Sequence, residues 1–312
     1  MSCLLKALPV VVSVVEFTLG MFGNGFIVLT NGIAWIRTRK LSLIDMILTG
    51  LAVSQVCFLC VTMSAVPFHI THESMFHSKS LVVSFDILWT GSNYLCLACN
   101  TCLSVFYFFR IASFSSPAFL WVRWRIRSLL RVIVLAAVIS YFVFLIFVER
   151  LGNNLTQGLA QMEKNTTFSV TENISNFIIH HILFNVTLVF FFLVSLVSLL
   201  LLILSLWRHS GRMEGLGLRP GDLSTKAHVK ALKTMISFLA LFIVHCVAEV
   251  MIVACSLFDS AVTSSFARVL IFFNPSVHPF LLILWNSRLK QALLCVVKML
   301  RGEITTRFYR QS

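Results

Sequence analysis

Between residues 81 and 109, Asp86, Trp89, Asn93, Cys96 and Asn100 recur at steps of three and four, the spacing that lines up one face of a helix. A carboxylate, an indole and two amides in one stripe can hold a small molecule by charge, stacking and hydrogen bonding. The same amides can equally glue one helix to its neighbours. Thr90, beside Trp89, joins the ligand-facing candidates. Glu249 and Arg268 add an acid and a base on two further apolar stretches. They either pair, sort ligands by charge in a wet cavity, or each reach the nearest interface.

Other chemistry is thin. Cys96, Cys99 and Cys102 have metal-like spacing, but three residues advance a helix by about 300°, so the thiols drift around the axis and read as buried free cysteines rather than a metal site. His180-His181 is an isolated pair. No H-E-x-x-H, G-x-S-x-G or G-x-x-x-x-G-K-[ST] string occurs, and no paired catalytic groups stand at one depth, so an enzyme is not expected. Neither a cofactor nor a metal is implied.

The elements that must position these residues follow from composition. Of 312 residues, 58% are hydrophobic and 12% charged, with a mean hydropathy of +0.91. Soluble domains carry about 25% charged residues, so this chain has too little charge to cover itself in water. Seven stretches, near 7–33, 43–68, 81–109, 128–149, 178–207, 231–257 and 266–287, reach the roughly 20 apolar residues that a helix needs to cross a bilayer. Each must be a helix, because a lone spanning segment has to satisfy its own backbone polar groups. The first is too long for a signal-peptide core and is read as a retained span. The expected fold is an all-α, seven-transmembrane helix bundle forming one domain over 1–312.

Charge sets the orientation. The connections 34–42, 110–131 and 208–233, with the tail 288–312, hold twenty of the twenty-five Lys and Arg residues; Lys6, Lys79, Arg150, Lys164 and Arg268 lie on the other side. The excess of basic residues marks the cytoplasmic face, which places the N-terminus outside and the C-terminus in the cytoplasm. A net charge of +13 distributed in this way reads as topology, and no nucleic-acid partner is expected. The longest polar connection, 150–177, is then extracellular, and it carries three N-x-[ST] glycosylation sequons at Asn154, Asn165 and Asn173. It contains no cysteine, which excludes the disulfide from the third helix to this loop that many rhodopsin-like receptors carry. Along segment one, Glu16, Gly20, Gly23, Asn24 and Asn31 share roughly one face, a pattern suited to close helix packing bridged by Asn24.

Several local strings are more specific than the architecture. Trp89-x-x-x-Asn93, then Thr101-Cys-Leu-Ser-Val-Phe-Tyr-Phe-Phe-Arg-Ile-Ala112 and Phe114-Ser-Ser-Pro117, resemble the bitter taste receptors of the type 2 family. So do Gly23-Asn-Gly-Phe-Ile27, Leu41-Ser-Leu-Ile-Asp45 with Leu51-Ala-Val-Ser54, Ser224-Thr-Lys-Ala-His-Val-Lys-Ala-Leu232, and His278 with Asn286-Ser-Arg-Leu-Lys-Gln291. These matches run in family order through nearly the whole chain.

The resemblance implies a multi-pass plasma-membrane receptor that binds small bitter compounds in the outer half of the bundle and activates a gustducin-type G protein. Trp89 and Asn93 correspond to the family's ligand-contacting positions. Tyr107 and Arg110 correspond to the inner end of the third helix, and His209 and His278 to the inner packing network that gates coupling. Asn24 and Gln55 join them as candidates for the coupling half.

The chain also departs from the family pattern. Gln55 stands where Arg usually follows Leu-Ala-x-Ser, so a charged contact from helix two to helices one and seven is lost or replaced by amide hydrogen bonds. Phe191 replaces a usual Pro, Pro279 a usual Ser, and His245-Cys246 a common Tyr-Phe. The competing readings are a vomeronasal type 1 pheromone receptor and, from another class, a transporter or channel; the latter lacks internal repeats and a ring of acidic residues. The basic inner loops suit a protein partner and anionic lipid alike, and the architecture is compatible with homo- or hetero-oligomers.

Overall fold

In a computed structural model, the described residues, 2–64, 79–112, 116–160, 168–215, 223–258 and 261–301, are almost entirely helical. In chain order the helices are α1 (Ser2–Thr38), α2 (Leu43–Ser64), α3 (Lys79–Ile111), α4 (Pro117–Trp124), α5 (Ile126–Ala160), α6 (Phe168–Gly215), α7 (Leu223–Phe258), α8 (Ala261–Trp285) and α9 (Ser287–Leu300). Six of them are each long and apolar enough to span a membrane. α8 and α9, bent by 95° where they meet, make a seventh span when taken as one unit. The seven-helix bundle expected from the sequence is therefore the observed fold.

The expected and observed edges differ most at 150–177. The sequence reading treats this stretch as a polar connection, whereas α5 continues to Ala160 and α6 begins at Phe168, leaving only 161–167 between them. Hydropathy reports where the chain stops being apolar, and a helix need not stop there. Leu151, Leu155 and Leu159 recur at a spacing of four and carry the helical pattern past the apolar span. The basic connection after α3 likewise holds the short helix α4, which starts with Pro117 in its first turn.

Neighbours in the bundle are α1 with α2 and α8, α2 with α3, α3 with α5 and α6, α6 with α7, and α7 with α8. α3 is the central helix: 67% of its spanning window is buried, against 11% for α5. The polar stripe foreseen on α3 thus faces protein on several sides.

Small residues set the closest approach. A Cβ added to Gly20 would lie 3.2 Å from the Pro275 carbonyl oxygen, and one added to Gly23 would lie 2.9 Å from the Pro279 ring. α1 can press on α8 at this depth only because both positions lack side chains. The contact also answers a deficit in α8. Pro279 has no N–H to donate to the carbonyl of Pro275, four residues earlier. Asn24 Nδ2 donates to that oxygen at 3.1 Å while also donating to the Gly20 carbonyl at 2.9 Å. Ser276 Oγ donates to the Glu16 carbonyl at 2.6 Å, a second tie between the same helices.

The other end of the bundle is fixed by caps and one ion pair. Ser42 precedes α2 as its cap: the Asp45 N–H donates to Ser42 Oγ at 3.3 Å, and Ser42 Oγ donates to Asp45 Oδ2 at 2.6 Å. Asn286 caps α9, its side chain accepting from the backbone N–H groups of Arg288 and Leu289. The turn delivers Arg288 to Asp45, Nη1 to Oδ2 2.6 Å, and to Asn31 Oδ1. Asn31 in turn donates to the Asp45 carbonyl and to Thr49 Oγ1.

Candidate functional site: a polar stripe at the bundle axis

The α3 stripe is enclosed. Asp86, Trp89, Thr90, Asn93 and Asn100 are all buried, and Cys96 is half-buried. Trp89 packs between Phe58 of α2 and Phe184 of α6, with ring centroids 6.2 and 5.2 Å away. One turn further along, Asn93 donates from Nδ2 to the Trp89 carbonyl at 3.0 Å. Its side chain helps line a small cavity shared with Gln55, Asn100, His245 and Asn274, so that α2, α3, α7 and α8 meet around one polar space. Asp86 sits nearer the N-terminal end of α3, with its Oδ1 buried away from protein partners.

Glu249 is fully buried on α7, and His245 Nε2 lies 3.7 Å from its Oε1, one helical turn away. The side chain of Arg268 lies outside the described residues, as do those of His209 and the three sequon asparagines. The i, i+4 spacing of His245 and Glu249 is readable in the sequence as a shared helix face.

Gln55 Nε2 donates to His278 Nδ1 at 3.0 Å, joining α2 to α8. Phe238 of α7 stacks at a tilt on His278, at 6.0 Å. Phe191 is buried against Tyr94 and fills core volume. Tyr107 is half-buried beside Phe106, and Arg110 is exposed at the end of α3.

The three α3 thiols diverge, as the helical arithmetic requires. Cys96 lines the polar cavity, Cys99 faces Gly50 of α2, and Cys102 donates to the Leu130 carbonyl of α5 at 3.7 Å. Sequence reasoning missed the Asp45–Arg288 pair. Both residues were visible, Asp45 as an acid beside a basic connection, but nothing in the linear order says that the chain turns back after α8.

With this geometry in place, comparison with known proteins decides the family. Residues 1–301 match the family described as Taste receptor protein (TAS2R). The chain is 40% identical over 299 residues to "Taste receptor type 2 member 7" of Rattus norvegicus, covering 93% of this chain and 96% of that one. The mouse (Mus musculus) and rhesus macaque (Macaca mulatta) proteins of the same name are 38% and 36% identical over 300 residues, covering 94–95% of this chain and 94–96% of theirs.

The chain belongs to the type 2 taste receptors.

It is accordingly a bitter taste receptor of the G-protein-coupled class and a multi-pass plasma-membrane protein, not an enzyme. The α3 stripe runs from Asp86 to Asn100 along the central helix, and Asn93, Cys96 and Asn100 of it line the polar cavity.

Proposed function

We propose that this taste receptor binds small bitter compounds at the N-terminal end of the bundle, which faces outward, and activates a gustducin-type G protein at the end that carries α9. The binding residues are Asp86, Trp89, Thr90, Asn93, Glu249 and Arg268. Tyr107, Arg110, His209 and His278, with Asn24 and Gln55, form the coupling half. One observation carries the reading: Trp89 and Asn93 stand one turn apart on the central helix, buried against α2, α6 and α7, so a molecule reaching them touches several helices at once. A ligand that favours one helix arrangement over another shifts the population toward it, and the opposite face transmits the shift. The excess of basic residues supports the orientation, and Asn154, Asn165 and Asn173 are the proposed glycosylation sites.

The deciding experiment is calcium release in cells carrying a gustducin-type chimeric G protein, challenged with a panel of bitter compounds. A dose-dependent response that Asn93→Ala loses at unchanged surface expression is expected. A response with the same potency in Asn93→Ala for every agonist removes Asn93 from the site. Orientation is read separately: an N-terminal epitope tag is expected to stain intact cells, and staining only after permeabilisation reverses the assignment.

A further inference from the structure

α5 lies at the edge of the bundle, yet one of its side chains reaches the backbone of the helix that carries the candidate ligand stripe. Tyr141 Oη donates to the Ile87 carbonyl of α3 at 2.9 Å. In a regular helix that oxygen already accepts from the Gly91 N–H, four residues on, so the hydroxyl is a second donor to a group that is already paired. Gly91 supplies the room: a Cβ there would lie 3.2 Å from Tyr141 Oη and 3.3 Å from Cζ. Glycine is a poor helix former, and at this position its missing side chain is what lets the phenol rest on the α3 backbone.

The same ring opens a second route into the stripe. Tyr141 packs on Tyr94 with centroids 5.7 Å apart, Tyr94 on Phe184 of α6 at 5.7 Å, and Phe184 on Trp89 at 5.2 Å. All three separations lie in the range where aromatic pairs attract. Tyr94, Phe184 and Trp89 are each no more than 2% exposed, and side chains packed this closely pass a displacement on rather than absorb it. The chain of rings thus leaves Tyr141, crosses α3 to α6 and returns to α3 at Trp89, two residues from the carbonyl that Tyr141 holds.

We infer that Tyr141 is a positioning residue for the ligand site: from the α5 side it fixes the height and rotation of the Asp86–Asn93 segment, and so helps to decide which bitter compounds fit. The inference rests on the reading that ligand meets Trp89 and Asn93. Specificity is a difference of affinities, so a small movement of these two side chains alters compounds unequally, according to how far each depends on the indole or the amide.

The test is the potency of a panel of bitter agonists in the calcium-release assay, at matched surface expression, for the native receptor, Tyr141→Phe, Gly91→Ala, the double variant and Val143→Leu, whose side chain on α5 is exposed. Agonists that lose potency in Trp89→Ala define the set to be compared. Within it, Tyr141→Phe is expected to change the potency ratio between agonists by roughly 3- to 10-fold, the range that one neutral hydrogen bond corresponds to, with the maximal response retained. Gly91→Ala is expected to shift the same ratios, because its methyl displaces the phenol; the double variant adds little, and Val143→Leu leaves the ratios alone. A role in folding alone lowers surface expression or scales every agonist together, and either result with unchanged ratios overturns the proposal.

A ligand-free arm separates that failure from an error in the binding site. The emission of Trp89, taken as the difference between the purified receptor and Trp89→Phe, is measured in the native and the Tyr141→Phe backgrounds. A change of intensity or wavelength is expected, and unchanged emission overturns the positioning role. Changed emission with no agonist dependent on Trp89 or Asn93 upholds the positioning of Trp89 and overturns the effect on specificity, through the binding-site reading rather than through Tyr141.

Discussion

Gln55 ties α2 to α8 without placing a charge inside the bundle. At that depth a charge is costly on insertion scales, while an amide reaches His278 Nδ1 at 3.0 Å with no charge to bury. Gln55→Leu removes the partner and leaves His278 buried and unpaired on that nitrogen. The expected result is a loss of about 1–3 kcal/mol, seen as a lower melting temperature of the purified receptor, with Gln55→Glu giving a different loss because it introduces a carboxylate. The His245–Glu249 contact belongs to the same scale. If Glu249 acts mainly through His245, the single variants His245→Ala and Glu249→Gln and the double variant are non-additive in stability by about 0.5–3 kcal/mol; additive values assign Glu249 another principal partner, Arg268 being the first to test. The α3 stripe was legible in the sequence because helical spacing converts directly into a shared face. The Gln55–His278 and His245–cavity relations were not, since they depend on which helices become neighbours.

For the helices, the clearest prediction contrasts two glycines of α1. Gly23 faces the Pro279 ring with no room for a side chain, whereas Gly25 has open space around it. Gly23→Leu is expected to separate α1 from α8 and cost about 1–3 kcal/mol or more by overpacking, read as reduced surface expression. Gly25→Ala is expected to be neutral or slightly stabilising, since alanine is the better helix former by about 0.5–1 kcal/mol. The glycine face of segment one was readable as a packing surface. Its partner was not, and neither was the role of Asn24, which becomes intelligible only when the proline four residues after Pro275 is seen to have left that carbonyl without its usual donor. At the α9 end, Asp45→Ala, Arg288→Ala and the double variant should show coupling of about 0.5–3 kcal/mol; the effect is expected to include displacement of α9, because Arg288 lies in its first turn, two residues after the cap Asn286.

Across the whole molecule, burial falls from the central helix to the edge. Leu97 of α3 is buried, while Leu135 of α5 is 58% exposed and faces the hydrocarbon in a bilayer. Leu97→Ala is expected to cost about 2–5 kcal/mol and Leu135→Ala close to nothing, measured as melting temperature in detergent; equal effects would contradict the arrangement of helices around α3. Composition alone announced a membrane protein and hydropathy supplied the number of spans. What hydropathy could not supply was their ends, because a helix continues past its apolar stretch wherever periodicity and local propensity permit, as α5 does beyond Arg150.

The bond from Asn24 to the Pro275 carbonyl also limits how the molecule can move. Sliding α1 along α8 by a single residue is a displacement of about 1.5 Å, enough to break that bond, to part Ser276 from the Glu16 carbonyl and to drive the Gly23 backbone against the Pro279 ring. The two helices are therefore a single mechanical part with a fixed register. Any change of shape that carries a signal along the bundle has to be taken up by other helices moving against this pair, with α1 and α8 serving as the stator.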